Sequence, residues 1–206
     1  MEKEFYIIRH AETDLNKQGI VQGQGVDADI NAFGRAQAQA FYQAYQDIPF
    51  DAIYISELKR TYQTVAPFIQ QGIPYKKLPG LNEISWGIYE GKAQDARSKA
   101  TFNAVIQRWE QGELDIAVEG GETPLQVQAR LEQALDTILR DTTHKTVLIC
   151  MHGRVLRMFL CLLMACPLTQ MNTFPHQNTA LYHLRYNKQA FKLLKAYNTA
   201  HLESLT

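Results

Sequence analysis

Thr146-Val147-Leu148-Ile149-Cys150-Met151-His152-Gly153-Arg154-Val155-Leu156-Arg157 passes from an apolar run through a His-Gly pair into a second apolar stretch. Residues 146–150 are short, apolar and partly β-branched, which predicts a strand. Residues 154–166 are longer and rich in Leu and Met, and predict a buried helix. Arg157 interrupts that stretch, and it is too short to span ~30 Å of hydrocarbon. A strand that turns directly into a helix is the building step of an α/β fold.

The same step occurs at the other end of the chain. Residues 5–8 predict a buried strand, followed by Arg9-His10-Ala11-Glu12-Thr13. Residues 11–30 are rich in Gly, Asn, Asp and Gln and read as a loop. Asn31 can cap a helix running to about residue 47, which Pro49 closes. Residues 52–55 predict a second strand and 58–69 a helix, with Pro67 expected to kink it or end it early. Residues 75–78 predict a weak third strand, 79–92 a loop and 93–111 a helix. Thr123-Pro124-Leu125-Gln126 combines an N-cap, a first-turn proline and a capping box, opening a helix to about residue 140. Residues 181–186 and 190–197 read as a hairpin. The expected architecture is a three-layer α/β/α sandwich with a mainly parallel central sheet and a C-terminal antiparallel hairpin. A single domain over 1–206 is expected, with a lid-like helical segment around 88–122.

Composition narrows the function. Lys plus Arg is 21 and Asp plus Glu is 21, so nothing draws the whole chain toward nucleic acid or an anionic membrane. An anion site must be built locally. Cys150, Cys161 and Cys166 form no C-x-x-C pair and sit in apolar runs, as buried reduced thiols do. Reduced thiols and the lack of a signal-peptide layout at the N-terminus lead us to expect a cytoplasmic protein. Oligomeric state has no signature here.

Ligands of open α/β sheets bind at the carboxyl ends of strands. Arg9 and His10 leave the first strand there, and His152 and Gly153 leave the strand at 146–150. Arg60 follows the second strand by about one helical turn. Arginine matches phosphate oxygens with a planar, permanently charged fork. Neutral imidazole is a competent nucleophile toward phosphorus, and a second imidazole can donate to a phosphoryl oxygen. These residues together suit a phosphate pocket with a nucleophile at its base.

The motifs resemble those of the histidine phosphatase superfamily, which includes the cofactor-dependent phosphoglycerate mutases. They are Arg9-His10-Ala11-Glu12-Thr13 with Asn16, then Ser56 through Thr64 with Leu58, Arg60 and Gln63. Leu81, Glu83, Gly87, Glu90 and Gly91 follow, then Gly121-Glu122-Thr123 and His152-Gly153. The resemblance covers nearly the whole chain and implies a phosphoglycerate mutase-like fold. It implies that His10 becomes phosphohistidine and that Arg9, Arg60 and His152 bind the phosphoryl group. It also implies that Glu83 protonates the leaving alcohol and then activates water. That role needs a carboxyl kept protonated near neutral pH by burial. Asn16, Gln22 and the Gly153 amide are expected substrate contacts, with no metal and no cofactor. Ala11 replaces the usual family glycine, so a negative φ is expected there. His144, His176, His183 and His201 lie outside the motifs; His176, beside Pro175 and near Asn178, could still line the site. Trp86, Tyr89, Phe102 and Trp109 read as core or lid packing.

The expected function is a phosphatase acting on a small phosphorylated metabolite. A phosphoglycerate mutase is the alternative, and a non-catalytic binding module the third. The family's mutases typically carry an extended basic insertion near the site. Here residues 89–122 are short and charge-balanced, which favours the phosphatase.

Overall fold

Side chains along the first strand part to opposite sides. Phe5 and Ile7 join one buried cluster, and Ile8 joins another. That period of two places the sheet between two layers. The computed structural model describes residues 2–205. The strands are β1 (Lys3–Arg9), β2 (Ala52–Ile55), β3 (Tyr75–Lys77), β4 (Thr146–Met151), β5 (Leu181–Tyr186) and β6 (Phe191–Asn198). Among the described residues they form one sheet in the order β3-β2-β4-β1-β5-β6. The pairs β3–β2, β2–β4 and β4–β1 are parallel; β5 and β6 are antiparallel to their neighbours.

The helices are α1 (Asp14–Lys17), α2 (Ala32–Tyr45), α3 (Lys59–Gln70), α4 (Ala96–Glu110), α5 (Pro124–Arg140) and α6 (Gly153–Leu163). Phe41 of α2 and Val65 and Phe68 of α3 pack with Ile8, Ile53, Ile55 and Leu148 on one face. Val127, Leu131 and Ile138 of α5 and Val155 and Phe159 of α6 pack with Phe5, Ile7, Val147 and Ile149 on the other. The expected three-layer α/β/α sandwich is therefore present, with its parallel centre and antiparallel C-terminal hairpin.

Local signals set several boundaries. Asn31 Oδ1 accepts the amide of Gly34 at 2.8 Å and starts α2 as expected. Thr123 and Gln126 close the predicted capping box of α5. Pro67, however, neither ends nor breaks α3, which runs on to Gln70. Val65 and Phe68 are fully buried on either side of it. Their packing offsets a proline cost of about 3 kcal/mol. The segment read as a loop over 11–30 contains α1. Its capping box uses Asn16 in place of the usual Glu or Gln. Helix α4 starts at 96 because Asp95 caps it, accepting the amide of Ser98 at 2.7 Å. Helix α6 ends three residues early, and Ala165 beyond it has φ 51°. Among the described residues no helix is long and apolar enough to cross a membrane.

Candidate active site

Adjacent parallel strands β1 and β4 deliver His10 and His152 to one end of the sheet. The His10 amide donates to the Met151 carbonyl at 2.9 Å, one step past the strand pairing. A crevice opens at this end. Arg9, His10, Asn16, Gln22, Glu83 and Gly153 all line it, around ≈ 210 Å³ of space.

His10 is buried, and its Nδ1 lies 2.8 Å from the carbonyl oxygen of Ala11. A carbonyl can only accept, so Nδ1 carries the hydrogen and Nε2 holds the free lone pair. Burial first, then the charges of Arg60 and Arg9, push this imidazole well below its ordinary value. His10 is thus neutral near pH 7 and presents an unprotonated nitrogen. Ala11 is outside the described non-glycine residues with positive φ, in line with the sequence expectation. Its amide donates to Thr64 Oγ1 at 2.9 Å, fixing the carbonyl that orients His10.

Arg9 donates through Nη1 to Nδ1 of His176 at 3.0 Å, while its buried Nε has no protein partner. Burial is the main cause that brings Arg9 to about 10, so it stays cationic at neutral pH. Because His176 accepts at Nδ1, its Nε2 carries the hydrogen. Burial, then Arg9, lowers His176 to about 3 and keeps it neutral. Gly153 sits between them: a Cβ there would lie 3.2 and 3.3 Å from His176 ring atoms and 3.4 Å from Arg9 Nε. The requirement for glycine is close approach.

Asn16 is held through Oδ1, which accepts from the Thr13 amide at 3.2 Å and from Asn178 Nδ2 at 3.3 Å. Asn178 also donates to the His10 carbonyl at 2.8 Å. Gln22 Nε2 donates to Thr13 Oγ1 at 2.8 Å, leaving Oε1 buried and unpartnered.

Glu83 is buried as expected, but it is not an isolated carboxyl. Oε1 accepts the amides of Ile84 at 2.9 Å and Val155 at 3.1 Å, and Oε2 accepts that of Arg154 at 3.1 Å. It therefore caps the start of α6 from another segment. Arg130 steadies the peptide behind it, donating to the carbonyls of Gly80, Asn82 and Glu83.

Two sequence expectations change in detail. His152 and Arg60 are fully buried behind the crevice and are not part of its lining. Arg60 Nε donates to His152 Nδ1 at 3.2 Å, so His152 Nε2 donates to Ser56 Oγ at 2.8 Å. Both ring nitrogens are then engaged inside the protein, as a buried ring requires. Arg60 also donates to the carbonyls of Val26 at 2.6 Å and Gly23 at 3.2 Å. In this arrangement His152 offers no free donor to a phosphoryl group. It packs against His10 instead, with ring centroids 5.2 Å apart.

The crevice also contains residues the motifs did not supply. His176 and Arg154 line it, with Trp86 and Phe102 as an apolar wall. Trp86 belongs to the core as expected, and Phe102 of α4 packs on it at 4.9 Å between centroids. Among the described residues no group of three or more His, Cys, Asp or Glu is placed to hold a metal ion.

The histidine phosphatase superfamily (branch 1) matches residues 5–199. The chain belongs to that superfamily. Phosphoserine phosphatase 1 of Hydrogenobacter thermophilus is 26% identical over 95% of this chain and 92% of its own. The mouse fructose-2,6-bisphosphatase TIGAR is 34% identical over 64% of this chain and 49% of its own length. The solved structure of YhfR from Bacillus stearothermophilus superposes with a TM-score of 0.83 at 25% identity, covering 98% of this chain and all of that one. The fold is phosphoglycerate mutase-like, and the chain is a phosphoric monoester hydrolase of the histidine phosphatase kind.

Proposed function

We propose that this enzyme hydrolyses a small phosphorylated metabolite through a phosphohistidine at His10, with Glu83 as proton donor. The observation that carries this reading is the free Nε2 of a neutral, buried His10 at the crevice. Nε2 attacks phosphorus, the P–O bond to the alcohol breaks, and Glu83 gives the departing oxygen its proton. Glu83 then takes a proton from water as that water attacks the phosphohistidine, releasing phosphate and freeing His10. For this role a carboxyl oxygen of Glu83 must turn from its amide donors to the leaving oxygen as substrate binds. The unpartnered Nε–H of Arg9, the Asn16 side chain, the Gly153 amide and the Nε2–H of His176 surround the phosphoryl group. Arg60 and His152 act from behind, setting charge and holding His10 in place. Gln22 meets the remainder of the substrate, and the helical segment around 88–122 covers it through Phe102. The free thiols of Cys150, Cys161 and Cys166 suit a cytoplasmic enzyme.

A panel of phosphorylated metabolites tests the reading. Phosphate release should be at least about ten times faster than any isomerisation of 3- and 2-phosphoglycerate, a gap of ~1.4 kcal/mol in barrier. Isomerisation outrunning phosphate release across the panel would assign the chain as a mutase.

A further inference from the structure

The Arg154 side chain reaches the crevice from the first turn of α6, and no carboxylate touches it directly, although Glu83 and Glu110 act on its charge from further away. It forms no ion pair among the described residues, where Arg108, Arg130, Arg140 and Arg185 all do. Its Nη1 donates to Asn172 Oδ1 at 2.8 Å, and that same neutral oxygen accepts from Arg157 Nη1 at 2.8 Å. Two cations thus share one amide acceptor. The guanidinium lies over Trp86 at 5.7 Å and Trp109 at 6.0 Å from the ring centroids. The two indoles are themselves stacked at 5.7 Å, giving the guanidinium a rigid backing.

A cation–π contact recovers only part of what withdrawing a cation from water costs. Burial, then the charge of Arg157, lowers Arg154 to about 10, so it remains cationic at neutral pH. No anion contacts the guanidinium directly, and the crevice it faces is where one can enter. We propose that Arg154 binds a second anionic group of the substrate, a carboxylate or a second phosphate, apart from the phosphoryl group at His10. The substrate class is then a phosphomonoester whose acidic substituent lies close enough for both anions to meet residues of one crevice. Arginine suits either oxyanion with its planar fork. The apolar wall of Trp86 and Phe102 lowers the local dielectric and strengthens the contact. Asn172 fixes the guanidinium in advance, so little rotamer entropy is lost on binding. This inference rests on the phosphatase reading for its turnover but not for its binding.

The test uses matched substrates that differ in the acidic group. The carboxylate arm is 3-phosphoglycerate against glycerol 3-phosphate. The phosphate arm is fructose 1,6-bisphosphate against fructose 6-phosphate. The wild-type enzyme should prefer the acidic member of at least one arm by about tenfold in kcat/KM, mostly through KM, and the arm affected identifies the group. Arg154→Met should lower kcat/KM at least about tenfold more on that acidic member than on its neutral partner. Arg154→Lys, which keeps the charge without the fork, should fall between them. Calorimetric binding of both pairs to the His10→Ala protein, with and without Arg154→Met, reads the same discrimination without turnover. Discrimination in binding with no hydrolysis by wild type would overturn the phosphatase reading and leave this one standing. Equal losses on acidic and neutral members, or no preference in either arm by kinetics and binding, would overturn the role of Arg154.

Discussion

The Arg9 guanidinium donates to Nδ1 of His176 at 3.0 Å, joining the end of β1 to the segment that leads into β5. The bond aims the Nε–H of Arg9 and the Nε2–H of His176 past Gly153. A methyl group at 153 would meet three of their atoms at 3.2 to 3.4 Å, tighter than ordinary contact. Gly153→Ala should therefore displace both donors by a few tenths of an ångström. Activity should fall about tenfold, since small misplacement of binding groups is costly in rate. Stability should hold or rise by up to ~1 kcal/mol, because Ala is the better helix former in α6. Parallel kcat/KM and thermal-melting measurements check this. Unchanged activity would show that the pair tolerates the methyl group.

How much of this site could be read in the sequence depends on what holds each residue. Arg9, His10, Asn16, Glu83 and Gly153 follow strand ends or lie in motifs, and backbone topology alone brings them to the crevice. His152 and Arg60 were legible as members, but their hydrogen-bond partners were not. Those partners depend on the Ser56 hydroxyl and the Gly23 and Val26 carbonyls, and residue spacing does not encode side-chain rotamers. His176 had only the weak cue of nearby Pro175 and Asn178. Arg154 stood in plain view after His152-Gly153, yet its direction is set by Trp86 and Trp109, which arrive from distant segments. Pro67 misled in the opposite sense: a local breaker rule lost to the packing of Val65 and Phe68.

Glu83 caps α6, and the proposed proton exchange would be a second duty separable from it. Glu83→Gln places an N–H₂ group among the amides of Ile84, Arg154 and Val155, so the melting temperature should fall. The proton-donor role predicts something that lost capping cannot. Turnover of an alkyl phosphate should drop by roughly 10²–10⁴. Turnover of a nitrophenyl phosphate, whose leaving group needs no proton, should drop far less. Equal losses on the two substrates would reduce Glu83 to a structural cap.

Acid should unfold this protein through its buried and half-buried histidines. His10 and His152 lie well below the ordinary value of 6.5, His176 falls to about 3 and His201 to about 4. Burial is the largest cause in each. Each folded-state value is lowered, so below pH 6.5 the unfolded chain binds protons that the folded chain refuses. Stability is then full above about pH 6.5 and declines as pH falls toward the folded-state values. His201 isolates one such group away from the crevice, packing on Phe41 at 5.3 Å and Tyr45 at 5.9 Å between centroids. His201→Phe suits that aromatic setting but forfeits the 3.2 Å contact with Thr179, so absolute stability at pH 7 is not the readout. The readout is the slope of denaturant-derived stability between pH 6.5 and 4, which should shrink by about one proton taken up on unfolding. An unchanged slope would show that His201 is protonated in the folded state.

The proposed covalent intermediate makes the sharpest demand on the site, because it specifies both an atom and a charge state. Nδ1 of His10 is committed to the Ala11 carbonyl, so phosphorylation should occur at Nε2. Rapid quenching without acid should yield a phosphoprotein that is acid-labile and base-stable, as phosphohistidine is. His10→Ala should abolish both the label and turnover, and a label that survives that change would place the nucleophile elsewhere. An ordinary imidazole would be about nine-tenths protonated at pH 5.5 and correspondingly poor as a nucleophile. Burial and the neighbouring Arg60 and Arg9 lower His10 well below its ordinary value, which favours the neutral ring as pH falls. The rate of labelling at pH 5.5 should therefore stay within about threefold of the rate at pH 7, measured in single turnovers with an aryl phosphate so that leaving-group protonation does not limit it. A tenfold fall over that interval would mean that His10 titrates like a solvated histidine, and that its burial does not persist in the working enzyme.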